Sequence, residues 1–262
     1  MKKYKLSVVV PVYNQEEYIY RNVLEALKTF SQYGKNFEII VVNDGSTDST
    51  LSELKLIKDN RLKIVSYPVN KGKGHALKYG VEHVTGNVVT FMDADLDIHP
   101  RNLNGFFPYL SSSDFVIGSK RHRLSRVNYP LKRRVLSMFY HWFVRFLFDL
   151  KVKDTQSGFK LMKTECLRTV LPKVLVKRFA FDLELLVVAK HYGFKVTEAP
   201  ISLHYNFGNG SSVSFHAIKG ILVDTLAIAY RLYILHYYDK DPHALVEGYH
   251  ASPSWRGRES NV

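Results

Sequence analysis

Thr90-Phe91-Met92-Asp93-Ala94-Asp95-Leu96-Asp97 is the stretch on which the reading of this chain turns. An apolar run from Val88 to Met92 stops abruptly in three carboxylates at alternate positions. A buried charge is costly unless it is paired or bound to metal. The acids therefore belong where a buried strand emerges, at the carboxyl edge of a sheet. Oxygen ligands placed there suit a hard divalent cation. A solvated acidic turn after a strand is the competing reading, and the flanking sequence weighs against it.

Upstream, Leu6 to Val12 reads as a buried strand. Ile19, Val23, Leu24, Leu27 and Phe30 then recur at helical spacing, which predicts a helix over residues 16–30. A second strand, 37–42, runs into the cap-rich turn Asn43-Asp44-Gly45-Ser46-Thr47-Asp48-Ser49, and a helix is expected over 50–58. A third strand covers 62–66. The basic turn Asn70-Lys71-Gly72-Lys73-Gly74 leads into a helix through Ala76, Leu77, Gly80, Val81 and Val84. The acidic stretch closes the fourth strand, 87–92. A helix is expected from Pro100 and a fifth strand over 114–118.

Near-continuous apolar strands that alternate with helices predict an α/β protein, a mostly parallel sheet with helices on both faces. Ligands in such folds bind at the carboxyl ends of the strands. The turns Tyr13-Asn14-Gln15, Asn43-Asp44-Gly45 and Asp93-Ala94-Asp95 would share that edge. Their convergence favours a nucleotide-and-metal site over an ordinary acidic turn.

The second half is less regular. A helix over 131–150 carries Phe139, Tyr140, Trp142, Phe143, Phe146 and Phe148. A loop and strand follow over 154–162, then a short helix that Thr164 can cap. Phe181 opens another helix, with Asp182 as its N-cap. Strands are expected over 195–199 and 201–205. An amphipathic helix is expected over 215–240, and 241–262 read as a mobile tail. Residues 1–214 form the main domain.

Composition narrows the class. The 262 residues are 46% hydrophobic, which argues against overall disorder. A single cysteine, Cys166, permits no intrachain disulfide. Strand-like sequence begins within five residues, leaving no room for a secretory signal, and no long apolar run predicts a transmembrane helix. The net charge of +13 is concentrated: from Gly118 to Phe148 there are Lys120, Arg121, Arg123, Arg126, Lys132, Arg133, Arg134 and Arg145, and no acid. Such a segment suits a polyanion, whether nucleic acid, anionic lipid or a phosphorylated substrate.

Val9-Val-Pro-Val-Tyr-Asn14, Val41-Val-Asn-Asp-Gly-Ser46, Asn70-Lys-Gly-Lys-Gly74, Asp93-Ala-Asp95 and Asp154-Thr-Gln-Ser-Gly-Phe-Lys160 occur in that order. Over about residues 5 to 215 this resembles the family 2 glycosyltransferases of the GT-A (Rossmann-like) fold. Within them it is similar to the dolichyl-phosphate or polyprenyl-phosphate mannosyl- and glucosyltransferases. The resemblance implies nucleotide contacts at Pro11, Tyr13, Asn14, Gln15, Asp44, Asp93 and Ala94, and the glycine-rich turn puts Lys71 or Lys73 in reach of the diphosphate. It implies Mg²⁺ or Mn²⁺ on Asp93 and Asp95, with Asp97 as a third ligand. It places the acceptor phosphate on Arg121 and Arg133, with Ser137 one turn on. Asp154 and Gln156 are expected to position sugar or acceptor. The family often has Asp at position 43 and Glu at 15; this chain has Asn43 and Gln15.

The implied reaction moves a hexose from GDP-mannose or UDP-glucose to a lipid phosphate, with inversion. A divalent cation neutralises charge on the leaving diphosphate. A hydroxyl acceptor needs a general base. A phosphate monoester does not, because its second pKa is about 6. Asp95, Arg121, Arg133 and Asp182 are the candidate catalytic residues, Asp182 as the base if one is needed. The aromatic helix and the last amphipathic helix suit peripheral contact with the cytoplasmic face of a membrane. Packing in the core or in a homo-oligomer is the competing reading of both. A glycan hydroxyl is the alternative acceptor. Nucleic-acid binding is disfavoured for want of a basic, aromatic groove motif, and a nicotinamide dehydrogenase for want of Gly-x-Gly-x-x-Gly after the first strand.

Overall fold

A computed structural model describes residues 4–34, 36–127, 131–177, 180–203 and 215–239; of residues 33, 127, 131–137 and 215–218 only the backbone is described. In chain order the elements are β1 (Leu6–Val12), α1 (Ile19–Tyr33), β2 (Phe37–Asp44), α2 (Thr50–Leu56), β3 (Leu62–Tyr67), α3 (Lys73–Val81) and β4 (Val88–Phe91). Then come β5 (Phe115–Ser119), β6 (Arg126–Val127), α4 (Leu131–Phe148), β7 (Lys160–Lys163), α5 (Thr164–Val170) and α6 (Phe181–His191). The chain continues through β8 (Val196–Pro200) and β9 (Ser202–Leu203) to α7 (Phe215–Tyr233).

Seven strands form one sheet in the order β3-β2-β1-β4-β7-β5-β8. β1 pairs in parallel with β2 and β4, β2 with β3, and β5 with β8, while β7 runs antiparallel to β4 and β5. The mostly parallel sheet is as expected; the inserted antiparallel strand is not visible in the hydrophobic pattern. Successive residues of a strand face opposite sides, and the core divides accordingly. Val8, Val10, Ile39 and Val41 pack with α1 on one face, and Val9, Ile40, Val42 and Val89 with α3, α5 and α6 on the other. Both faces are therefore dry, which is why the strands lack polar alternation.

Several local expectations need correction. α1 begins at Ile19 rather than residue 16. Pro100 opens two short 3₁₀ helices, Pro100–Gly105 and Phe107–Ser111, instead of an α-helix. Thr164 does not cap α5: Lys163 holds the cap position, and the Thr164 hydroxyl donates to the Gly86 carbonyl at 2.8 Å. Asp182 does not cap α6 either; Ala180 holds that position, and Asp182 lies in the first turn facing a buried lysine. β9 begins at Ser202 rather than at 201, and 204–205 lie outside the described residues. The helix expected to 240 ends at Tyr233, followed by a 3₁₀ turn at Tyr237–Asp239. The expected tail, 241–262, also lies outside the described residues.

α7 is fastened to the domain through a buried carboxylate. Glu184 is fully buried and receives Arg231 Nη2 at 2.8 Å, the Tyr238 hydroxyl at 2.6 Å, and the backbone N–H groups of Leu175 and Val176 at 2.7 and 2.6 Å. Four donors satisfy the oxygens of one buried charge, which is the condition for tolerating it.

Candidate active site

The parallel register brings β1, β2, β3 and β4 to one carboxyl edge. Val12 lies opposite Asn43, and Asp44 opposite Tyr67. Beyond β4, Met92 N–H donates to the Val9 carbonyl at 3.1 Å, so the acidic turn leaves the sheet beside the end of β1. The turn is pinned from outside by Asn22 of α1, whose Nδ2 donates to the Ala94 carbonyl at 2.9 Å. Asp97 N–H donates to Asp95 Oδ1 at 3.0 Å. Asp97 thus orients Asp95 through its backbone. Among the described residues no three Asp, Glu, His or Cys side chains converge on one ion position. The expected trio of Asp93, Asp95 and Asp97 is therefore not a ready-made cage.

Asp93 is ion-paired with Lys73, the first residue of α3. Burial pushes the Asp93 carboxyl up, but Lys73, together with Lys160 and Lys120, outweighs it and holds it below the ordinary carboxylate range. For Lys73, burial works downward, and Asp93 and Asp182 outweigh it to hold the ammonium above its ordinary value. Among the described residues Asp95 has no ion pair, only the weaker pull of Lys73. Burial of its charged end pushes its carboxyl up to about 6, with Asp93 and Asp97 adding repulsion. The residue as a whole is exposed, so water screens part of that repulsion. One under-compensated carboxylate and one paired carboxylate fit a magnesium-like ion, which takes one or two protein carboxylates and fills its shell with phosphate oxygens and water.

Gly158 makes the neighbouring wall. A Cβ there would lie 2.7 Å from Asp93 Oδ2 and 3.3 Å from Lys73 Nζ. Only glycine lets the 156–158 backbone approach the acid this closely. Gly158→Ala is expected to push the Asp93 carboxylate aside, at little cost to the fold because the groups it meets are side-chain ends. Metal-dependent stabilisation by nucleotide should fall with it, which a thermal-shift titration checks.

The nucleotide side is held by Asp44. Its buried carboxylate accepts from the backbone N–H groups of Lys71 at 2.7 Å and Gly72 at 2.9 Å, and from Asn70 Nδ2 at 3.1 Å. Gly72 sits at φ 91°, a left-handed conformation that suits glycine. So Asp44, expected to touch nucleotide, here folds the basic turn over the end of β2. Asn14 is tied to the same side through Ser46 and Thr47, and Gln15 N–H donates to Thr50 Oγ1 at 2.7 Å. The Gln15 Oε1 is buried without a hydrogen-bond partner. A buried acceptor left open is what a ligand's N–H or a water would satisfy. Pro11 is half-buried at the end of β1, and Tyr13 is exposed just beyond it.

On the opposite side, Asp154 ties two candidate segments together. Its Oδ2 accepts from Lys120 N–H at 3.0 Å and its Oδ1 from Gln156 N–H at 3.3 Å. The start of the basic segment is thereby fixed beside the loop that walls Asp93. Arg121 follows Lys120, with its N–H on Ser119 Oγ at 3.2 Å. His141 of α4 feels the same charge: burial lowers its pKa, and Arg121 and Arg145 lower it further. The side chains of Arg133 and Ser137 lie outside the described residues; their backbone is in the first half of α4. Lys160 and Asp182 form a buried pair at 2.6 Å beneath this loop, and Lys160 Nζ also donates to the Ser157 carbonyl. Lys160, Gly158, Asn22 and Tyr140 are not among the site residues expected from sequence, although the first two lie in the quoted motif and Tyr140 on the aromatic helix. All four act through partners distant in the chain, which no local pattern reveals.

The sheet and its edge have the GT-A fold, which solved structures share. Glucosyl-3-phosphoglycerate synthase from Mycobacterium tuberculosis, crystallised with Mn²⁺, uridine diphosphate and phosphoglyceric acid, superposes with a TM-score of 0.66 at 19% identity, over 87% of this chain and 78% of that one. The chain belongs to glycosyl transferase family 2, whose family model matches residues 7–171. Similar proteins include a dolichyl-phosphate beta-glucosyltransferase of Saccharomyces cerevisiae, 30% identical over 89% of this chain and 76% of that protein. A second, from Trichomonas vaginalis, is 31% identical over 86% of this chain and 72% of its own length. The human dolichyl-phosphate beta-glucosyltransferase is 30% identical over 80% of this chain and 69% of its own.

Proposed function

We propose that this glycosyltransferase moves glucose from UDP-glucose to a polyprenyl phosphate of the dolichyl kind, with inversion. The observation that carries the reading is the Asp154 clamp, which sets a basic, acid-free segment against the carboxylate edge. Two anions must meet in such a reaction, and this arrangement offers each its own counter-charge. The names of the relatives support glucose and a dolichyl acceptor.

Asp93 and Asp95 would hold Mg²⁺ or Mn²⁺ with the donor's diphosphate. Bound there, the cation neutralises the charge that grows on the leaving group. Lys73 adds a fixed positive charge at the same edge. Pro11, Tyr13, Asn14, Gln15, Asp44 and Ala94 line the nucleotide side. Arg121, with Arg133 and Ser137, receives the acceptor phosphate, and Asp154 positions that segment. The acceptor is largely dianionic at neutral pH, so no base is called for. Asp182 is in any case engaged by Lys160.

An insoluble acceptor requires contact with a bilayer. Among the described residues no helix is long and apolar enough to cross one. α4 exposes Phe139, Trp142 and Phe146, and α7 exposes Leu222, Val223 and Leu226. The two helices touch, Tyr233 of α7 donating to the Leu147 carbonyl. We place these faces at the cytoplasmic surface of a membrane, where each nearby Lys or Arg adds roughly 1 kcal/mol on an anionic leaflet. Radiolabelled glucose offered as UDP-glucose, with Mn²⁺ and polyprenyl phosphate, should appear in an organic-extractable, acid-labile product. Label confined to water-soluble glycan would replace the lipid acceptor by a hydroxyl acceptor.

A further inference from the structure

A chain of hydrogen bonds decides which end of the Gln156 amide faces the protein. Thr225 of α7 is fully buried, and its hydroxyl donates to the Ile221 carbonyl at 2.7 Å. A threonine hydroxyl has one hydrogen to give. Tyr140 of α4 stands 2.9 Å from Thr225 Oγ1, so the phenol must be the donor of that bond. The phenol oxygen is then left only to accept, and Gln156 Nε2 donates to it at 3.1 Å. The sense of the whole chain, from Gln156 through Tyr140 and Thr225 to Ile221, is thus set at its buried end. Bonds aligned in one sense polarise one another.

With Nε2 committed, Gln156 offers an acceptor, Oε1, to anything else. No described residue donates to it. A phosphate dianion has no hydrogen to supply and is repelled by a carbonyl oxygen. A sugar hydroxyl is a donor. We infer that Gln156 is a specificity-determining residue for the donor hexose: its amide oxygen takes a hydrogen bond from a hydroxyl of the sugar. Tyr140 and Thr225 are positioning residues that hold the amide in that sense.

The placement agrees with the chemistry. Gly158, two residues on, packs against Asp93, and the hexose hangs from the diphosphate held there. Asp154, two residues before, turns to the basic segment instead. Gln156 thus sits between a residue that turns to the basic segment and one that packs against Asp93. This role for Gln156 rests on the proposed reaction and narrows the expectation from sequence, which left Asp154 and Gln156 to position either sugar or acceptor.

The test compares a sugar nucleotide with its bare nucleotide by calorimetry in the presence of Mn²⁺. UDP-glucose and UDP are the first pair; GDP-mannose and GDP replace them if the wild type binds those instead. Gln156→Ala should weaken the sugar nucleotide about tenfold and the bare nucleotide less than about twofold, the effect of one lost hydrogen bond. Tyr140→Phe keeps the ring and lets the amide turn over. It should weaken the sugar nucleotide about threefold in the same sense, with little change in Tm. It decides the matter alone if Gln156→Ala does not fold. Equal losses for sugar nucleotide and bare nucleotide, or no loss for either, would overturn the inference. So would a raised acceptor KM with donor affinity intact. A wild type that binds UDP-glucose but glucosylates no lipid phosphate would sink the acceptor reading and leave this one standing.

Discussion

Asp95→Ala is expected to abolish the metal dependence of nucleotide binding and to slow glycosyl transfer by about 10²–10³-fold, the range seen when one preorganised charge-stabilising group is removed. The reason lies in the pairing of the edge. Asp93 is ion-paired with Lys73, while Asp95 has no ion pair of its own among the described residues, and the pull of Lys73 does not stop its carboxyl being pushed up to about 6. Asp95 is therefore the group that gains most from an arriving ion. Protons and the ion compete for it. Because the folded-state value is raised, Asp95 is ionised above about pH 6 and protonated below it. The stabilisation by UDP with Mn²⁺ should hold at neutral pH and fall away as pH drops through about 6. Thermal shifts recorded with and without Mn²⁺ across that interval check it. A metal-dependent shift that survives in Asp95→Ala removes the residue from the site.

Lys160→Met is expected to destabilise the fold by about 3–5 kcal/mol, the usual cost of leaving a buried charge without its partner. Lys160 is completely buried, bound to Asp182 Oδ1 at 2.6 Å and to the Ser157 carbonyl. Removing the ammonium strands the Asp182 carboxylate and unties the loop that walls Asp93. The double variant Lys160→Met with Asp182→Leu removes both charges and should recover most of the loss, since a buried pair replaced by apolar groups is often close to neutral. Urea unfolding of the wild type, the single variant and the double variant measures this directly. Equal stability of the single variant and the wild type would show that the pair is solvated and that Asp182 is free for another role.

The two effects differ in kind. Asp95 is exposed and costs the fold little, so its loss should appear in chemistry. Lys160 is buried beneath the site, so its loss should appear first in stability. Between them lies Gly158, whose missing side chain lets the loop held by Lys160 touch the acid that works with Asp95.

Much of the edge is legible in the sequence because strands and turns are local. The apolar runs at Leu6–Val12, Phe37–Asp44 and Val88–Phe91 announce buried parallel strands, and each ends in polar residues that must lie outside the sheet. The motif order then gives the family, which the match over residues 7–171 bears out. Helix caps are less legible. Asp182 and Thr164 have the side chains that cap helices, yet both spend them on distant groups, Lys160 and the Gly86 carbonyl. A side-chain oxygen goes to the stronger or more buried donor or acceptor within reach, and local spacing does not say which that is.

By itself, then, the amino-acid order determined the strand ends, the carboxylates at one of them and the basic segment that follows, because period and charge are properties of neighbouring residues. Only the tertiary structure decided what each charged group faces. Lys73 meets Asp93 across 20 residues, Asp154 meets Lys120 across 34, and Tyr140 meets Thr225 across 85. Those pairings follow from strand order, including the antiparallel β7 set between β4 and β5. Strand order is fixed by the packing of two whole faces against their helices, a sum over the chain that no single stretch contains.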